Sequence, residues 1–181
     1  MKKFIIIGPP RSGKSTLINI IFDELTKDPS ITVGGLITPE IKKDNKRLGF
    51  KIINLYSKES DILAHQDQLV GPKISKYRVN MEVLNYFSEN ALNIDSLKAD
   101  LMIIDEIGKM EIFSENFIEH VKKIIDSDIL FIGTMGNKID HLFIRELKNR
   151  KDIKFLFLTR ENFDETLKYL KNLVITNLHR G

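Results

Sequence analysis

The run Gly8-Pro9-Pro10-Arg11-Ser12-Gly13-Lys14-Ser15 constrains this chain more than any other segment. It satisfies the spacing of a glycine, four residues, Gly-Lys and a hydroxyl residue, which is the P-loop pattern. The pattern carries meaning only when a strand leads into it and a helix leaves it. Both are legible here. Lys3 to Ile7 is an apolar run rich in β-branched residues, as in a parallel strand buried on both faces. From Ser15 to Thr26, Leu17, Ile18, Ile21 and Leu25 recur on one face of a helix.

The residue types fit a polyphosphate. Gly8 and Gly13 let the backbone turn tightly and approach an anion without a Cβ in the way. The loop Gly8, Pro9, Pro10, Arg11, Ser12, Gly13 leads into Lys14, Ser15 and Thr16 at a helix start, where unpaired amides and the helix dipole attract negative charge. Lys14 would reach β- and γ-phosphates, and the Ser15 hydroxyl would bind Mg²⁺.

Further apolar segments alternate with helical ones. Strands are expected at Ile31 to Ile37, Leu101 to Ile104, Ile129 to Ile132 and Ile153 to Leu158. Helices are expected after Asn80 and Ser114, at Asp140 to Leu147, and at Phe163 to Leu173. Asp44-Asn45-Lys46 reads as the turn of a hairpin joining Ile41-Lys42-Lys43 to Leu48 to Leu55. Ser57 to Asn80 has weak periodicity and is expected as a long functional or mobile segment. The pattern predicts an α/β fold: a three-layer α/β/α sandwich around a mostly parallel, doubly wound sheet, of RecA-like type, with a β-hairpin insertion. No linker or repeat interrupts residues 1–181, so one domain is expected.

Leu101-Met102-Ile103-Ile104 delivers Asp105 and Glu106 to the end of a buried strand, the Walker B arrangement. Ligands of open α/β sheets bind outside those strand ends. Asp105 would hold Mg²⁺ opposite Ser15, and Glu106 could accept a proton from an attacking water. A strand that merely ends in a solvated acidic turn would look the same.

Composition excludes several classes. The 28 basic and 25 acidic residues leave a net charge of +3, which argues against a strongly basic nucleic-acid binder. There is no cysteine, so no disulfide, thiolate metal site or cysteine nucleophile exists, which suits a cytoplasmic protein. The first apolar run is too short for a signal peptide or a membrane span.

The run Asp105-Glu106-Ile107-Gly108-Lys109-Met110-Glu111-Ile112-Phe113-Ser114 resembles the signature of the THEP-type nucleoside-triphosphatases, P-loop NTPases that include the cancer-related nucleoside-triphosphatase of animals. Three more stretches resemble the same family. They are Gly35 to Glu40 with Arg47 to Ile52, Lys76-Tyr77-Arg78-Val79-Asn80, and Leu158-Thr159-Arg160-Glu161-Asn162. The resemblance implies Mg²⁺-dependent hydrolysis of ATP, GTP, CTP, UTP and TTP to the diphosphate and phosphate. It places nucleotide contacts on Gly8 through Ser15 and on Leu101, Met102, Ile103, Ile104, Asp105, Glu106, Ile107 and Gly108. Phe163 stands where the family usually carries an Arg.

Other candidates are weaker. Lys109 and Glu111 could contact phosphate or position Glu106, and a solvated turn is the plainer reading. Arg78 and Arg160 are candidate arginine fingers, and Thr134 a candidate for orienting water or capping a turn. His65, His120, His141 and His179 read as surface or loop residues, and Phe155 and Phe157 as core. The reading is an NTP phosphohydrolase with Lys14 and Glu106 as its catalytic residues. A nucleoside or nucleotide kinase, with Ser57 to Asn80 as a lid, is the first alternative. A slow nucleotide switch acting through a protein partner is the second. Neither nucleic acid nor membrane is expected as a partner.

Overall fold

Strand β1 (Lys3–Gly8) is buried along its whole length, because β-branched side chains project alternately into two apolar layers. The computed structural model describes residues 2–178. In it β1 lies between two parallel neighbours, β9 (Leu130–Gly136) and β10 (Ile153–Phe157). The parallel half of the sheet runs β10-β1-β9-β8-β2, with β8 at Leu101–Ile107 and β2 at Val33–Ile37. Ile5 stands opposite Gly133 on one side and Phe155 on the other. Strand β9 thus separates the P-loop strand from the acidic strand.

Two apolar layers cover the sheet. On one face Ile5, Ile7, Met102, Ile104 and Phe131 pack against α2 (Met81–Leu92), α3 (Glu115–Asp126) and α4 (Leu142–Lys148). On the other, Phe4, Ile6, Leu101, Ile103 and Ile132 pack against α1 (Lys14–Leu25) and α5 (Phe163–Leu178). This is the three-layer arrangement expected from the alternating pattern. The helix starts follow their side chains. Asn80 accepts the N–H of Val83 at 3.2 Å, and the Ser114 hydroxyl accepts that of Phe117 at 3.0 Å.

Beyond β2 the sheet becomes antiparallel. The expected hairpin is β3 (Glu40–Lys43) and β4 (Lys46–Asn54). Its two-residue turn, Asp44-Asn45, has positive φ at both positions, the twist that tight hairpins need. The segment expected as a long loop instead carries three short strands: β5 (Ser60–His65), β6 (Lys73–Ile74) and β7 (Tyr77–Val79) continue the sheet from β4. Leu63, Ala64 and Val79 are buried there, too few and too closely spaced to give a long period in the sequence. Ile37 pairs with both Asp105 and Ile53. The part of β4 before Ile53 therefore runs past the level of Asp105 by roughly 20 Å, at about 3.3 Å per residue.

Strand β10 corrects an expectation. It is an edge strand rather than a fully buried one, and Phe157 is 67% exposed while Phe155 is partly covered. Edge position, not composition, decides this. No helix of the described residues is long and apolar enough to cross a membrane.

Candidate functional site

Gly13 makes the turn from loop to helix possible. Its φ is +100°, and a Cβ there would lie 3.0 Å from the Phe163 ring. No side chain caps α1, so its first amides point into the space above the loop. The Lys14 side chain is buried and folds back, with Nζ donating to the carbonyls of Gly8 at 3.0 Å and Pro9 at 3.1 Å. Pro9, Pro10, Arg11, Ser15 and Thr16 are exposed around it. The loop is held from behind by the turn before α5. Arg160 Nε donates to the Arg11 carbonyl at 3.3 Å, and Phe163 covers Gly13.

Asp105 and Glu106 reach the end of β8 together, joined by a cis peptide bond. Asp105 is buried, and its carbonyl accepts from the amide and the hydroxyl of Thr38 at 2.7 and 3.0 Å. Its carboxylate Oδ1 accepts from the Thr134 hydroxyl at 2.5 Å. Thr134 is fully buried and serves this carboxylate rather than capping a turn. Glu106 accepts the N–H of Gly136. Burial raises its pKa above the ordinary carboxylate range; the Lys14 ammonium pulls it back and the charge of Asp105 pushes it further up. Lys14 and Glu106 therefore feel one another across the site.

Leu101, Met102, Ile103, Ile104 and Ile107 are fully buried, so their side chains belong to the core and carry the acidic pair. Glu111, expected on a solvated turn, is only 2% exposed, whereas Lys109 beside it is exposed. Arg78 stands on β7, in the antiparallel part of the sheet. Its Nη1 donates to the carbonyl of Gly71, closing the loop between β5 and β6. His120, read as a surface residue, is buried between α3 and α2, 3.0 Å from Glu89 Oε2. An amphipathic stripe places it there, at the margin of the apolar face. His141 caps α4, His65 lies on β5, and His179 lies outside the described residues.

The donor set suits a divalent cation bound with phosphates. Asp105 offers one carboxylate steadied by Thr134, and Ser15 presents an exposed hydroxyl at the start of α1. Mg²⁺ is held in this way, by one or two protein oxygens plus substrate phosphates. Among the described residues no group of three His, Cys, Asp or Glu side chains could hold a metal alone. The buried Ser12 hydroxyl has no hydrogen-bond partner, an orphan polar atom inside the loop.

Comparison with known proteins places the chain in a family. A family model described as NTPase matches residues 3–171. The nucleoside-triphosphatase THEP1 of Korarchaeum cryptofilum is 37% identical over 173 residues, covering 95% of this chain and 86% of the relative. That of Thermotoga sp. strain RQ2 is 37% identical over 179 residues, 99% and 98% of the two chains. The crystal structure of THEP1 from Aquifex aeolicus superposes with a TM-score of 0.83 at 28% identity, covering 95% and 98% of the two chains. The solution structure of a human cancer-related nucleoside triphosphatase gives 0.79 at 28%, covering 96% and 97%. The chain belongs to the THEP1 family of nucleoside-triphosphatases.

Proposed function

We propose that this protein hydrolyses nucleoside 5′-triphosphates to the diphosphate and phosphate, with Mg²⁺ and with broad tolerance of the base. The observation that carries the reading is Glu106. It is a partly buried carboxylate tied to Gly136 and lies within electrostatic reach of the Lys14 ammonium in the loop below. A kinase brings its own acceptor and has no need of a group that activates water. The absence of cysteine accords with a cytoplasmic setting.

The steps follow from the residues. The amides at the start of α1 and Lys14 bind the β- and γ-phosphates, and Lys14 exchanges its loop carbonyls for phosphate oxygens. Asp105 and Ser15 would hold Mg²⁺, which would supply positive charge to offset that of the phosphates. Glu106 orients a water in line with the γ-phosphorus and takes its proton. Its raised pKa brings the carboxylate closer to neutrality, where a general base works best. Catalysis is then mostly positional and electrostatic. The loop reads phosphates rather than bases, which supports broad base tolerance.

The test is steady-state phosphate release from ATP, GTP, CTP, UTP and TTP, with and without Mg²⁺. Release from all five, lost on chelation, is the expected result. Labelled γ-phosphate recovered on an added nucleoside would favour the kinase instead.

A further inference from the structure

One buried carboxyl group behind the acidic strand tip has no part in those steps. Glu111 begins the short 3₁₀ turn Glu111–Phe113 that follows β8. It is 2% exposed, and among the described residues it has no basic partner. Its carboxyl oxygens accept the N–H of Gly108 and its own N–H. A buried acid without a cation is costly unless it stays neutral.

The second observation is the space beside Gly108. A Cβ there would lie 2.6 Å from Glu111 Oε2 and 3.5 Å from both Cγ and Oε1 of Glu106. Glu106 Oε1 also lies 3.5 Å from where a Cβ on Gly136 would stand. Glu106 is thus held between two glycines, and Glu111 fills the room that the first of them leaves.

We propose that Glu111 is a positioning residue, a buried acid wedged at Gly108 that fixes the turn behind Glu106 and so sets where the Glu106 carboxylate meets the attacking water. The proposal rests on the reading of Glu106 as the group that activates water. Burial, joined by the charges of Glu106 and Asp105, pushes the Glu111 acid up to about 8, so the neutral form prevails at neutral pH. A neutral acid can stand beside the Glu106 carboxylate without like-charge repulsion. Removing it leaves Glu106 free to turn into the vacated space, and an error of about 1 Å at a reacting group can cost on the order of 10² in rate.

The experiment compares Glu111→Ala, Glu111→Gln, Gly108→Ala and the Gly108→Ala/Glu111→Ala double variant in Mg·ATP hydrolysis. Binding of a non-hydrolysable ATP analogue and Tm are measured beside it. Glu111→Ala should lower kcat by roughly 10- to 100-fold while KM stays within about 3-fold. Glu111→Gln, a neutral group of the same shape, should keep kcat within about 3-fold of the parent. Gly108→Ala should lower kcat in the parent and cost much less when Glu111 is already Ala. The proposal is overturned if Glu111→Ala turns over normally, if KM carries its loss, or if Gln is as damaging as Ala. Should Glu111→Ala fail to fold, the Gln and Gly108→Ala variants decide alone. An inactive Glu106→Gln enzyme alongside a fully active Glu111→Ala enzyme would remove this proposal and leave the reading of Glu106 standing. Full turnover by Glu106→Gln would remove both.

Discussion

The Thr134 hydroxyl donates to Asp105 Oδ1 at 2.5 Å, and both residues are buried at the ends of adjacent strands. This bond fixes one oxygen of the carboxylate proposed to hold Mg²⁺. Thr134→Val keeps the volume and removes the donor. The apparent Mg²⁺ requirement for phosphate release should rise about 10-fold, the usual scale for losing the group that orients a metal ligand. A Mg²⁺ titration of initial rates measures it. An unchanged midpoint would show that Asp105 needs no such support.

Gly13 combines a left-handed backbone with a close neighbour. A Cβ at this position would meet the Phe163 ring at 3.0 Å, and the φ of +100° disfavours any L side chain. Gly13→Ala should therefore weaken analogue binding at least ~10-fold and lower stability by about 1–2 kcal/mol. Calorimetric titration and thermal melting check the two parts. Adding Phe163→Ala relieves the contact but not the backbone strain, so only part of the affinity should return.

Stability should fall as pH rises, because of Glu111. Its folded pKa is about 8 against an ordinary value of 4.5, so between these limits the folded chain keeps a proton that the unfolded chain has lost. The unfolded state is then favoured by rising pH, and the penalty reaches on the order of a few kcal/mol at pH 8. Glu106, also raised by burial, adds to the slope with the same sign. Glu111→Gln should flatten most of this dependence. Urea unfolding at pH 5 and pH 8, parent against variant, measures it. An equal slope in both would mean that the Glu111 acid ionises freely in the folded state.

Much of the site was legible in the residues. A Gly-Lys-Ser loop between an apolar run and an amphipathic stripe gave β1, the P-loop and α1, because each signal is local. Asp105 and Glu106 were legible for the same reason, as a charge at the end of a buried strand. What stayed hidden depends on neighbours distant in sequence. Glu111 sits on a turn whose residues look solvated, and only the packing around Gly108 buries it. Strands β5 to β7 are short and pair antiparallel, so no long apolar run announced them. The apolar residues of β10 suggested a buried strand, but its place at the sheet edge leaves Phe157 exposed.

The most direct measurement is phosphate release by Glu106→Gln under single-turnover conditions with Mg·ATP, read beside its affinity for a non-hydrolysable analogue. The expected result is analogue binding equal to the parent with hydrolysis slower by at least ~10², the scale of a lost general base. Hydrolysis at the parental rate with binding intact would contradict the assignment of Glu106 as the group that activates water.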